Sequence, residues 1–250
     1  MESYLRKPLV GGDIEAGYRG GSDAMLYPGL AYEDAYLRWA FIRKVYGIVL
    51  AQLVLTGLAS LVVIMVPEVR NFIFLNPAIL IVTIVLQIGV LFSLYWYHRS
   101  HPTNLILLGI WTLTFSVTIG SVCAFLPGLI VLEAVLLTAA VFVSLTAYTF
   151  WAGRKGYDFS YLGPMLFAGL TVLVIWGVVQ LFIVPGATGR FIYALVGSLL
   201  FSLYIIYDTD NLIHQYSIDD YIWASVALYL DVVNLFVLVL DMIRYLQGSD

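Results

Sequence analysis

Two aspartates stand where a charge is least welcome. Asp208 and Asp231 lie in LYIIYDTDNLIHQYSIDDYIWASVALYLDVVNLFVLVLDMIR, from Leu203 to Arg244, among long runs of Leu, Ile, Val, Phe and Ala. An ionisable side chain in hydrocarbon costs about 2.5–3.5 kcal/mol on insertion scales, which makes each one a functional candidate. If this stretch folds as a helical hairpin turning within residues 217–220, the two aspartates are equidistant from its centre and share one depth. At 1.5 Å per residue, some nine helical residues put that depth at about 14 Å from the turn. Asn211 and Asn234 follow the aspartates by three residues each, so carboxylate and amide share a helix face. Two carboxyl groups forced together in a poorly solvated site cannot both ionise cheaply, so the pair shares a proton and senses pH. Carboxylate and amide oxygens also suit a hard cation such as calcium, which usually takes six to eight oxygens. Two helices supply too few for storage, so Asp208 and Asp231 predict a weak, transient calcium site.

Further polar residues would extend an ion path from that pair: Asn211, Asn234, Asp210, Asp241 and Glu133. Asp241 falls seven residues beyond Asn234, nearly on the same stripe. Glu133 follows Pro127-Gly128, where a carboxylate would cap a helix N-terminus or form an acidic vestibule. Asp210, Asp219 and Asp220, near the turn, are placed to be solvated or to cap the following helix. The plain alternative for all of these is helix-to-helix hydrogen bonding, worth about 0.6–2 kcal/mol per bond in a membrane.

The elements that must carry these residues follow from the apolar pattern. The chain is 62% hydrophobic and 11% charged, with a mean hydropathy of +0.94, far from the roughly 25% charge of a soluble domain. Apolar runs at about 41–66, 77–97, 103–126, 129–152, 161–184, 190–213 and 222–246 are each long enough to cross roughly 30 Å of hydrocarbon as a helix. Their unbroken character excludes the residue-by-residue alternation of a membrane barrel. The prediction is an all-α integral membrane protein, a bundle of seven transmembrane helices over 39–246, preceded by a disordered cytosolic tail over 1–38. Short breaks, such as Pro127-Gly128, make sequential helices antiparallel.

Lys and Arg set the orientation. With the N-terminus in the cytosol, that side holds Arg6, Lys7, Arg19, Arg38, Arg43, Lys44, Arg99, Arg154 and Lys155, against Arg70, Arg190 and Arg244 opposite. Arg43 and Lys44 should reach back to the headgroups, and most of the six Trp and eighteen Tyr should serve packing and the membrane interface. The polar start carries no cleavable-signal pattern, so the first span should double as the insertion signal. The scattered basic residues give no footprint for nucleic acid. The single cysteine, Cys123, forms no disulfide within the chain and predicts a lipid-facing or packed thiol.

At the hairpin the sequence resembles the Bax inhibitor-1 and lifeguard family. The motifs are YIIYDTDNLI (204–213) and YIWASVALYLDVVNLF (221–236), joined by FIRKVYGIVLAQL (41–53) and LTAYTFWAGRKGYDFSYLGP (145–164). The likeness runs from about residue 38 onward and is closest to the plant lifeguard branch, in which YDTDNL and a glutamate opening the fourth span are usual. It implies a seven-helix bundle with one central helix, lodged in the endoplasmic reticulum or another endomembrane (Golgi, vacuole) or in the plasma membrane. It also implies a slow, pH-sensitive calcium leak and suppression of stress-induced programmed cell death. The family's aspartate pH sensor carries over onto Asp208 and Asp231, the pair already reached from the hairpin. A second-span arginine latches that pair in some bacterial relatives, but here that span holds no Arg or Lys before Arg99.

The resulting expectation is a non-enzymatic, proton-gated calcium conduit with no cofactor, whose partners are the bilayer, calcium, protons and cell-death regulators. A non-conducting scaffold for such regulators is the alternative. An intramembrane aspartyl protease fits less well, since Asp231 sits in Tyr229-Leu230-Asp231 rather than a Gly-x-Gly-Asp turn and no Pro-Ala-Leu segment occurs. A seven-span receptor would want larger loops or a longer cytosolic tail than the six residues after Arg244.

Overall fold

The computed structural model describes residues 32–248. Most of the expected tail, residues 1–31, lies outside them, and Tyr32 already opens the first helix. The helices are α1 (Tyr32–Met65), α2 (Pro67–Leu75), α3 (Ala78–Tyr97), α4 (Thr103–Cys123), α5 (Gly128–Arg154), α6 (Gly163–Phe182), α7 (Ala187–His214) and α8 (Tyr221–Leu246). All but α2 are long and apolar enough to cross a membrane, giving the predicted seven. α2 is too short to span, and the tilted contact of Phe74 with Phe125, ring centroids 3.9 Å apart, holds it against the α4–α5 turn.

Proline and glycine punctuate the chain for local reasons. Pro67 occupies the first position of α2, where its missing N–H costs nothing. Just past the end of α5, Gly156 with a φ of +81° takes the left-handed turn that a side chain would resist. There Tyr157 N–H bonds Ala152 O and Gly156 N–H bonds Gly153 O, a Schellman closure that satisfies two otherwise orphaned carbonyls.

α8 is the most buried span and packs against α1, α4, α5 and α7, so it is the central helix. Tyr229, fully buried at its middle, places Trp111 and Phe115 edge-on to its ring at 5.6 and 5.8 Å. Its hydroxyl meets Thr56 Oγ1 at 2.8 Å. Cys123 is packed, at 3% exposure.

The antiparallel order gives the bundle two faces. The loop face carries the start of α1 and the α3–α4, α5–α6 and α7–α8 connections; the far face carries α2 and the end of α8. At the loop face Tyr221 locks three helices together. Its hydroxyl accepts Asn104 Nδ2–H at 2.8 Å, and Lys44 Nζ lies 3.1 Å above its ring. Lys44 therefore has a protein partner as well as the interfacial position expected for it.

The α1–α4 contact is closest at Gly120. A Cβ there would stand 3.0 Å from both Ser60 Cα and Val63 Cβ, atoms of the partner's backbone and branch point that cannot swing aside. Gly120→Ala should therefore separate α1 from α4 and destabilise the bundle by about 1–3 kcal/mol. A lowered thermal midpoint in detergent is the expected outcome.

Candidate functional site

α7 and α8 bring the predicted pair together. Asp208 and Asp231 face each other at hydrogen-bonding range across the two helices, with 8% and 5% of their surface exposed. The turn behind them is lopsided. α7 stops at His214, six residues past Asp208, whereas Asp231 lies ten residues into α8, or about 9 and 15 Å along the respective axes. A 3-10 turn at Ile218–Asp220 precedes α8, so the hairpin is not symmetric about its sequence midpoint.

Asn211 joins the pair as its spacing suggested, donating from Nδ2 to Asp208 Oδ1 at 3.4 Å. Asn234 does not donate to it. Its Nδ2–H instead bonds Leu230 O at 2.8 Å, on its own helix. Two buried oxygens, Asn211 Oδ1 and Asp231 Oδ2, accept no hydrogen bond among the described residues. An unsatisfied buried acceptor costs about 1–3 kcal/mol, and here two of them lie in one polar cluster. Two tyrosines, Tyr204 and Tyr216, lie near the carboxyl groups. Tyr204 and Tyr216 are within electrostatic range of both aspartates and of Tyr207.

The other acids are separate from this cluster. Asp210, fully buried, turns towards the α5–α6 loop: Oδ2 accepts Phe159 N–H at 3.0 Å, and His214 Nδ1 lies 3.1 Å from Oδ1. It thereby ties that loop to the end of α7. Asp158, exposed beside it, accepts Ser160 N–H at 2.7 Å, and that bond holds its carboxyl below the usual carboxylate range. Asp220 occupies the position before α8 without capping it, and pairs with Arg99 at 3.4 Å.

Asp241 belongs to the far face, where its charge partners are Arg244 and Arg190. With Arg244 it edges a mostly apolar cavity of about 580 Å³ walled by Leu80, Ile84, Val122 and Phe125, with Thr118 and Ser121 also in its lining. Glu133 is the sixth residue of α5, too far along to cap its first turn as the sequence suggested, because the helix starts at Gly128. Its Oε2 accepts Gln247 Nε2–H at 2.7 Å, joining the start of α5 to the end of α8.

The sequence reading passed over a second buried polar seam, on the α1–α4 side of α8. Gln52 Nε2–H bonds Thr112 Oγ1 at 3.1 Å, Thr56 meets Tyr229, and Ser60 Oγ–H bonds Ser116 O at 3.2 Å. The signal was present as polar residues every fourth position, at 52, 56 and 60 and at 112 and 116. Uncharged, these residues carry no insertion penalty large enough to stand out.

A seven-span helical bundle with a carboxyl pair buried between its central helix and a neighbour defines the class of membrane protein. Its family follows from comparison with known proteins. The family model described as "Inhibitor of apoptosis-promoting Bax1" matches residues 38–248. The chain is 49% identical to the "BI1-like protein" of Arabidopsis thaliana, over 95% of this chain and 91% of that one. It is 46% identical to "Protein LIFEGUARD 3" of the same plant, over 94% and 95%. The "Golgi anti-apoptotic protein" of Vaccinia virus (strain Lister) is 39% identical, over 86% and 89%. The chain belongs to the Bax inhibitor and lifeguard family, as its hairpin motifs suggested.

Asp210 should matter to the loop rather than to the pair. Replacing it by Ala removes the acceptor of Phe159 N–H, worth about 1–3 kcal/mol when a buried group loses its partner. Hydrogen exchange at the Phe159 amide should accelerate accordingly, while amides of the central part of α8 keep their protection. The hold that Ser160 N–H gives Asp158 acts in the same loop. Because the Asp158 value is depressed on folding, its contribution is present above the ordinary carboxylate range and is lost as pH falls through the lowered value.

Proposed function

We propose that this protein is a pH-responsive calcium leak pathway of an internal membrane, and that by lowering the calcium load of the compartment it raises the threshold for programmed cell death. The observation that carries the reading is the meeting of Asp208 and Asp231 in a buried cluster where Asn211 Oδ1 and Asp231 Oδ2 accept no hydrogen bond among the described residues. Free acceptors at such a place suit a shared proton or a passing hard cation, and the two compete for the same oxygens. Competition of that kind makes cation passage depend on pH. Too few oxygens converge for tight binding, which favours leak over storage.

The loop face is read as cytosolic. Among the described residues it holds Arg38, Arg43, Lys44, Arg99, Arg154 and Lys155, against Arg70, Arg190 and Arg244 on the far face, and cytosolic segments carry the excess of Lys and Arg. The pair then lies nearer the cytosolic end of α7, and Asp241 and Glu133 sit on the lumenal side. The names of the relatives support the cell-death role, and the viral one supports a Golgi or related endomembrane. Those names are also names of regulators rather than enzymes.

Calcium flux into proteoliposomes across a pH series tests the reading, comparing the native chain with Asp208→Asn, Asp231→Asn and the double variant. The native leak should vary with pH, and either single substitution should flatten the profile. Because one proton belongs to both carboxyl groups, the double variant should be no flatter than the singles. Absence of flux from every variant would instead leave a scaffold that binds cell-death regulators without conducting.

A further inference from the structure

The last four carbonyls of an α-helix have no partner within it and must be satisfied from outside. At the end of α7 the Asn211 carbonyl takes the N–H groups of Gln215 and Tyr216, at 2.8 and 2.9 Å. A residue from another helix reaches the same turn. Arg38, in the second turn of α1, donates from Nη1 to Leu212 O at 3.5 Å and to Tyr216 O in a short bond. A guanidinium at a helix C-terminus also faces the negative end of the helix dipole. Phe41 and Ile42, each 2% exposed, anchor α1 immediately beyond Arg38. Among the described residues, Arg99 also meets the α7–α8 turn, paired with Asp220 at 3.4 Å but itself 67% exposed, an arrangement that contributes little.

The residue whose carbonyl Arg38 holds is also the residue of the turn that reaches inward. Tyr216 is half-buried against the core, with its phenol in electrostatic range of Asp208 and Asp231. Burial, and then the charges of those two aspartates, push that phenol above its ordinary value, so it remains a neutral ring. One backbone unit thus joins an external clamp to an internal cover.

We propose that Arg38 and Tyr216 form a lid on the aspartate pair: the guanidinium pins the α7–α8 turn, and the Tyr216 ring separates Asp208 and Asp231 from the loop face. Arg38 is a positioning residue in this arrangement, acting through the turn and not on the carboxyl groups themselves. The lid rests on the reading of the pair as the working site, and it identifies which element must move for that site to be reached from the loop face. Movement requires only that the 215–217 connection swing away from α1, leaving α7 and α8 packed as they are.

Thiol accessibility tests the lid without any flux. With Cys123→Ser removing the native cysteine, Asn211→Cys places a reporter beside the pair, and a charged, membrane-impermeant thiol reagent is applied to phosphatidylcholine vesicles from the loop face. Arg38→Gln should raise the labelling rate about tenfold, the scale of losing one charged hydrogen bond. Arg38→Lys, a point charge without the fork, should fall between. Tyr216→Ala should raise labelling with the clamp intact, and Tyr216→Phe should leave it at the starting rate. Unchanged labelling in Arg38→Gln or in Tyr216→Ala would overturn the lid. The lid and the leak fail separately: accelerated labelling in a chain that passes no calcium keeps the lid and removes the conduit, while calcium flux with unchanged labelling does the reverse.

Discussion

Two carboxyl groups facing each other between α7 and α8 are the constraint around which the bundle is arranged. Hydrocarbon offers such a pair nothing, so every compensating group must come from the protein. That requirement explains why α8, the helix carrying Asp231, is the one surrounded by others. It also explains why the neighbouring tyrosines are large enough to fill space yet keep a polar end near the acids. Asn211 supplies one donor to Asp208, and among the described residues Asn211 Oδ1 and Asp231 Oδ2 accept no hydrogen bond.

α8 meets different chemistry on its two sides. Towards α1 and α4 it presents Tyr229 to Thr56, within a seam of uncharged side chains that mostly find partners. Neutral hydrogen bonds between membrane helices each contribute little, about 0.6 to 2 kcal/mol, but they fix rotation about the helix axis. A helix whose rotation is fixed on one side presents Asp231 at a defined angle on the other. Gly120 serves the same end by bringing α4 close enough to α1 for the seam to close. The uncharged seam sets geometry, and the acidic pair uses it.

Much of this was legible in the sequence because hydrocarbon imposes simple rules. Seven apolar runs became seven spans, since length and composition alone decide whether a helix can cross. The meeting of Asp208 and Asp231 was legible from hairpin counting, because a small shift in the turn moves both helices together and alters their facing only slightly. The environments of the isolated polar residues were not. Asn234 turned to its own backbone and Asp210 to the α5–α6 loop, outcomes set by which neighbour lies alongside. Glu133 missed the first turn of α5 because helix starts are set by the residues around proline, here Pro127-Gly128. Arg38 stood in the sequence as part of an orientation count, and its contact with the end of α7, 174 residues away, depends wholly on tertiary packing.

The distribution of charge separates two jobs that a count of acidic residues would merge. Asp210 is as buried as Asp231, yet a backbone N–H and a histidine occupy its oxygens, so it works as a fastener. Asp241 has the charges of Arg244 and Arg190 within electrostatic range. The Asp208 and Asp231 pair is instead met by another acid, an amide and phenols, none of which brings positive charge. A buried acid with donors or positive charge at hand has less use for a proton or cation than one whose neighbour is a second acid. The absence of a basic partner for this pair among the described residues, more than its burial, distinguishes it from the other buried carboxylates on the same two helices.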